Sequence, residues 1–213
     1  MSAAPALPTV IMVHGLWFGA RSLSLLARRL RQAGFMPRRF RYRSTRAPLA
    51  EQCHALRQFI GPAADAPLHF VAHSLGGLVT LSMLADADDL PSGRVVLLGS
   101  PLQGSTVARK AAALPGGGGL LGAARPALEA GLARPEIRRE IGMIAGSRSF
   151  GLGLLLGGMG GPGDGTVAIS ETRFEGLREH RILPVTHTGM LFSREVAQEV
   201  ASFLSAGSFT APP

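Results

Sequence analysis

Cysteine, lysine, tryptophan and tyrosine each occur once in these 213 residues. The lone Cys53 has no partner for an internal disulfide, which excludes a disulfide-stapled scaffold and fits a reducing compartment. No apolar run suits a bilayer: the most apolar late stretch, FGLGLLLGGMGG, is too short and too rich in glycine. The start, MSAAPALPTV, has no basic n-region and no apolar h-region before the first strand-like run. It predicts a chain without a secretory signal and hence a cytoplasmic one, although a mature chain already cleaved would read the same. Neither metal-ligand spacing nor a cofactor motif is present. GGGLLG at 117–122 has the glycines of G-x-G-x-x-G, but it follows the helical VARKAAALP and not a strand, so it reads as a flexible loop.

What is there describes a globular protein. The composition is 46% hydrophobic and 17% charged, which excludes a disordered chain, and the length favours one domain spanning 1–213. The 22 basic and 14 acidic residues leave a formal charge of +8, and with Lys110 the only lysine the excess is arginine. Arginines cluster between Arg28 and Arg46. Only Phe40 and Tyr42 stand directly between arginines, in strand-like alternation, so no base-stacking platform is expected and nucleic acid is not an expected partner. An anionic membrane surface is the partner this cluster suggests, which would put the protein at a membrane periphery.

Short β-branched runs alternate with amphipathic segments. Thr9 to Val13, Phe35 to Tyr42, Leu68 to Ala72, Arg94 to Leu98 and His180 to Val185 read as strands. Ala20 to Ala33, Leu49 to Ile60, Leu75 to Ala85 and Met190 to Leu204 read as helices. This order predicts an α/β fold: a mostly parallel central sheet with helices on both faces. The span 103–163 breaks the rhythm with glycine-rich patches and a short apolar run at Ile141 to Ala145. It is expected to be an insert, a candidate lid.

Ser74 lies between a strand and a helix, in AHSLGG. A serine on so tight a turn needs small residues two before and two after it, here Ala72 and Gly76. A hydroxyl is a weak nucleophile and needs a base. His187, after the strand HRILPV, is the only histidine placed at the carboxyl end of a late strand, where sites form in open α/β sheets. His73, next to the serine, is expected to point away. Asp164 in GDGTV precedes His187 by 23 residues (187 − 164) and is the candidate to orient the imidazole. Its rivals Glu171 and Glu175 fall past the apolar run and are expected to face solvent. For an oxyanion, the backbone N–H groups of Leu75 and of Leu16 in VHGLW are the candidate donors, with Trp17 and Phe18 walling the acyl side.

Together VHGLW, AHSLGG, GDGTV and THTGML resemble the α/β-hydrolase superfamily, and within it the small bacterial lipases and esterases with an A-x-S-x-G elbow. The likeness runs from Thr9 to Leu204 and is weakest between Ser105 and Gly163. It implies the α/β-hydrolase fold, a Ser74–Asp164–His187 triad and an oxyanion hole at Leu16 and Leu75. It further implies hydrolysis of a small-molecule or lipid carboxylic ester through an acyl-enzyme, without a cofactor. An acyltransferase, thioesterase or amidase would show the same residues, and a binding protein that had lost the chemistry would keep the fold.

Overall fold

The structure, a computed structural model, describes residues 7–61, 67–133 and 136–210. Six parallel strands form one sheet: β1 (Thr9–Val13), β2 (Met36–Phe40), β3 (Leu68–His73), β4 (Val95–Leu98), β5 (Ile141–Gly146) and β6 (Glu179–Leu183). Their spatial order is β2-β1-β3-β4-β5-β6. The chain leaves β1 for one side and returns as β3 on the other. The loops after β1 and β3 therefore diverge, and a crevice opens between them at the carboxyl edge.

Strand alternation divides the core. Ile11, Val13, Phe70, Ala72, Val95 and Leu97 face α2 (Leu49–Ile60) and α3 (Leu75–Leu84). Val10, Met12, Val71, Val96 and Leu98 face α1 (Ser24–Gln32) and the last helix, α8 (Arg194–Ala206). Each of these side chains other than Ala72, fully buried, stabilises the fold by about 1.5–3 kcal/mol. Nine of the ten residues of α3 are buried, so its sequence is apolar all round, not along one stripe. Caps place the ends: Ser193 accepts from the Val196 N–H to start α8, and Gly207, at φ 77°, ends it. Two of the expected helices are shorter than their apolar spacing suggested, because Ala20–Leu23 and Gly189–Leu191 are 3-10 turns leading into α1 and α8.

The span 103–163 is not one insert. Its run IGMIAG is β5, paired with β4 and β6 in the sheet. Two glycines disguise it. A Cβ on Gly142 would stand 2.8 Å from both Phe203 and Phe209, so the strand gives up a side chain there to seat two rings. The remaining parts do lie over the carboxyl edge: α4 (Thr106–Ala113), α5 (Gly117–Leu121) and α6 (Arg125–Ala130) before β5, and α7 (Leu152–Leu155) after it. GGGLL is thus a short helix and not a flexible loop. Glycine is a poor helix former, but tertiary contacts hold this one. A Cβ on Gly117 would overlap the Ala111 carbonyl, and the Ala123 N–H donates to the Thr45 carbonyl at 2.8 Å.

Candidate active site

β3 ends at His73 and α3 begins at Leu75, which leaves Ser74 alone to turn the chain. It does so at φ 55°, ψ −124°, a conformation that side-chain-bearing residues seldom adopt. The turn holds because its ends are tied: the Ser74 N–H donates to the Leu98 carbonyl and its carbonyl accepts from the Gly77 N–H, both 2.9 Å. Gly76 must be glycine, since a Cβ there would lie 2.6 Å from the Val13 carbonyl and 2.7 Å from that of His14. As the first residue of α3, Leu75 presents an N–H without an intrahelical acceptor, at the positive end of the helix.

The loop after β1 carries the only other non-glycine residue at positive φ among the described residues, Trp17 at 61°. Its N–H is held by Ser44 Oγ at 3.1 Å, and its indole N–H donates to the Leu120 carbonyl at 2.9 Å. Tyr42 steadies the start of this loop: its hydroxyl donates to the His14 carbonyl at 2.7 Å, and its ring stacks on the His14 imidazole at 4.3 Å. Gly15 lies against the elbow, where a Cβ would come within 2.9 Å of His73 Nδ1 and 3.0 Å of Ser74 Cβ.

Asp164 and His187 meet at the carboxyl edge. His187 Nδ1 is 2.7 Å from Asp164 Oδ2, and the His187 N–H donates to the Asp164 carbonyl at 2.8 Å. The carboxylate's other oxygen, Oδ1, accepts from the N–H groups of Thr166 and Val167 at 2.9 and 2.8 Å. Asp164, 1% exposed, is thus hydrogen-bonded through both oxygens. A carboxylate facing Nδ1 requires the proton there, which leaves Nε2 as the basic nitrogen of a neutral imidazole. Beneath the pair is Gly99, at φ 55°, whose Cβ would come within 2.8 Å of Asp164 Oδ2.

Ser74 and His187 share a cleft of about 250 Å³, lined also by Leu16, Trp17 and Phe18. Among the described residues no hydrogen bond joins Ser74 to His187. Such contacts commonly tighten only when substrate is bound. Three larger surface hollows lie away from these residues and touch none of them.

Two sequence expectations are corrected. Glu171 does not face solvent: it is buried, and its carboxylate accepts from the Ala168 N–H at 3.0 Å and the Thr106 N–H at 2.5 Å. It braces the loop after Asp164 against α4 and makes no contact with His187. Nor does His73 point away from the site. It is buried, its Nε2 lies 3.0 Å from the His187 carbonyl, and the two rings are 4.6 Å apart. Nothing in the sequence beyond its place beside the serine signalled this.

A model of the alpha/beta hydrolase family matches residues 10–202. The chain belongs to the alpha/beta hydrolase family. Its fold is that of other alpha/beta hydrolases of known structure. Mature lipase BlEst2 of Bacillus licheniformis is 20% identical, superimposes with a TM-score of 0.76, and matches 98% of this chain and 95% of its own. A hydrolase from Pseudomonas aeruginosa is 17% identical, with a TM-score of 0.70 over 96% of this chain and 92% of its own. A third, the type II thioesterase BorB of the borrelidin biosynthetic cluster, is 16% identical, with a TM-score of 0.69 over 96% and 94%. No curated protein sequence matches. Among the described residues no helix is long and apolar enough to cross a membrane.

Proposed function

We propose that this alpha/beta hydrolase cleaves carboxylic esters through an acyl-enzyme on Ser74. The observation that carries the reading is the Asp164–His187 pair, joined at 2.7 Å, facing the same cleft as a serine held at φ 55° on a strand-to-helix turn. Ser74 Oγ attacks the carbonyl carbon while His187 Nε2 takes its proton. The oxyanion is held by the N–H groups of Leu75 and Leu16. His187 returns the proton to the departing alkoxide, then activates the water that releases the acid. Asp164 holds the Nδ1–H tautomer and stabilises the imidazolium as it forms.

The cleft favours an apolar acyl group. Trp17 and Phe18 form one wall, and Val107, Ala111, Leu121 and Leu152 from the flanking helices form the other. The segment around α7 is latched over α4: Lys110 Nζ donates to the carbonyls of Gly157 and Gly158, each at 2.8 Å, and Met159 packs with Val107 and Leu152. This segment is the lid of the proposal.

Labelling by a fluorophosphonate probe, followed by a p-nitrophenyl ester series of increasing chain length, tests the reading. Labelling and turnover are expected in the parent and neither in Ser74→Ala. Turnover that survives the alanine change overturns the assignment. Thioester and amide analogues of the best acyl group show which leaving groups the acyl-enzyme step accepts.

A further inference from the structure

The first 50 residues contain nine arginines and no carboxylate side chain; Glu51 is the first acid in the chain. The fold distributes this charge unevenly. Arg38 lies over the Phe59 ring and donates to the Phe59 and Ile60 carbonyls, and Arg39 donates to Ser24. Arg28 and Arg31 sit on α1, which runs back from the carboxyl edge along the flank of the sheet. Arg43 and Arg46 are placed differently. They bracket Ser44 and Thr45, the two residues that hold the Trp17 N–H and the Ala123 N–H. Both arginines are therefore at the mouth of the cleft. Across it, Arg148 is two residues before the cleft-lining Phe150. All three are exposed, and among the described residues none makes an ion pair or a side-chain hydrogen bond.

The apolar groups at the same mouth are exposed as well. Trp17 is 55% exposed, Leu120 65% and Phe150 77%, and α7 adds Leu154 and Leu155. Of the carboxylates nearby, Asp164 and Glu171 are buried, and Glu129 pairs with Arg125; Glu51, in the first turn of α2, is exposed. A cleft mouth that exposes large apolar side chains beside unpaired arginines matches a surface with anionic heads over apolar chains.

We infer that the cleft mouth docks on an anionic lipid surface, with Trp17, Leu120 and Phe150 entering the acyl boundary and Arg43, Arg46 and Arg148 meeting the phosphate layer. The inference builds on the proposed site only in its consequence, that Ser74 would face ester bonds at the bilayer surface. Binding itself needs no turnover.

Co-sedimentation of the Ser74→Ala protein with vesicles separates the two. Binding is expected to vesicles of phosphatidylcholine mixed with phosphatidylglycerol, to weaken steeply as salt is raised, and to be slight on phosphatidylcholine alone. Arg43→Gln with Arg46→Gln should cost about fivefold in partition coefficient per arginine, and Phe150→Ser should weaken binding at every salt concentration. Melting curves verify that each variant is folded. Equal binding to neutral and anionic vesicles overturns the inference, as does a loss from Arg28→Gln with Arg31→Gln as large as that from the rim pair, which would mean net charge alone is read. Inorganic phosphate at matched ionic strength should not displace the protein; if it does, the arginines bind a free anion and the docking surface is wrong.

Discussion

His73 Nε2 meets the main-chain carbonyl of His187 at 3.0 Å, a bond that ties the nucleophile turn to the loop of the candidate base. A carbonyl can only accept, so Nε2 carries the proton, and the buried Nδ1, with no partner among the described residues, is the bare nitrogen. Burial, reinforced by the neighbouring His187, pushes His73 well below the ordinary histidine range, and it stays neutral. Its place is that of a positioning residue. Gln at 73 can keep the donor while Phe cannot. His73→Phe should lower kcat by roughly 10–100-fold with little change in KM, and His73→Gln should recover most of it. Steady-state kinetics on one ester give both numbers. An equal loss in the two variants would leave His73 with packing alone.

Asp164→Asn keeps the shape of the pair and removes the charge. The amide can present its N–H to Nδ1, which would move the imidazole proton to Nε2 and leave no base facing Ser74. The expected fall in kcat is about 10³–10⁴-fold, with fluorophosphonate labelling slowed in parallel. A loss below tenfold would direct attention to another acid.

Gly99→Ala tests how tightly the pair is seated. The new methyl would stand 2.8 Å from Asp164 Oδ2 and 3.1 Å from His187 Nδ1, on a residue at φ 55°. Both the clash and the strain act in the same direction. We expect a lower melting temperature together with a drop in kcat of about 10²-fold, since a small displacement at such a site is costly. Calorimetry and turnover on the same preparation separate the two effects.

His69 sets an acid limit on stability. It accepts from the Arg94 N–H at 2.9 Å through Nδ1, and burial, with the charges of Arg94 and Arg139, lowers it from 6.5 to about 4. The unfolded chain therefore takes up a proton at a higher pH than the folded one. Stability should be full above pH 6.5 and decline as the pH falls from there to about 4. His14, His73 and His180, also lowered chiefly by burial, add to the same trend. Thermal melts across this interval should show a falling midpoint, shallower in His69→Gln.

Lys110→Met removes the two bonds that latch Gly157 and Gly158 to α4. Limited proteolysis should then cut between Phe150 and Gly161 faster than in the parent, while the melting temperature moves little. Relative turnover of long-chain esters should rise if the segment governs entry to the cleft.

Much of this molecule was legible in one dimension. Thr9–Val13 and Leu49–Ile60 are elements as read, because burial on both faces or on one stripe writes itself into adjacent residues. Ser74, Asp164 and His187 stood out as candidates for a related reason: Ser74 and His187 follow closely on β3 and β6, Asp164 stands between two glycines in a loop beyond α7, and local sequence specifies such turns through the small residues they require. Ile141–Gly146 escaped because Gly142 answers to Phe203 and Phe209, and Gly146 to Val185 and Met190, all far along the chain, and not to any strand propensity. GGGLL became a helix through its packing on Ala111 of α4 and the bond from the distant Trp17 indole to the Leu120 carbonyl. Glu171 and His73 could not be placed from sequence at all. A carboxylate between two backbone donors and an imidazole under a distant carbonyl are made by loops that meet only after the sheet forms. Local sequence thus determined most of the strands and helices and the turns that display the candidate residues. The tertiary structure alone decided which polar groups are buried against one another, because burial is a property of the assembled chain and not of any segment of it.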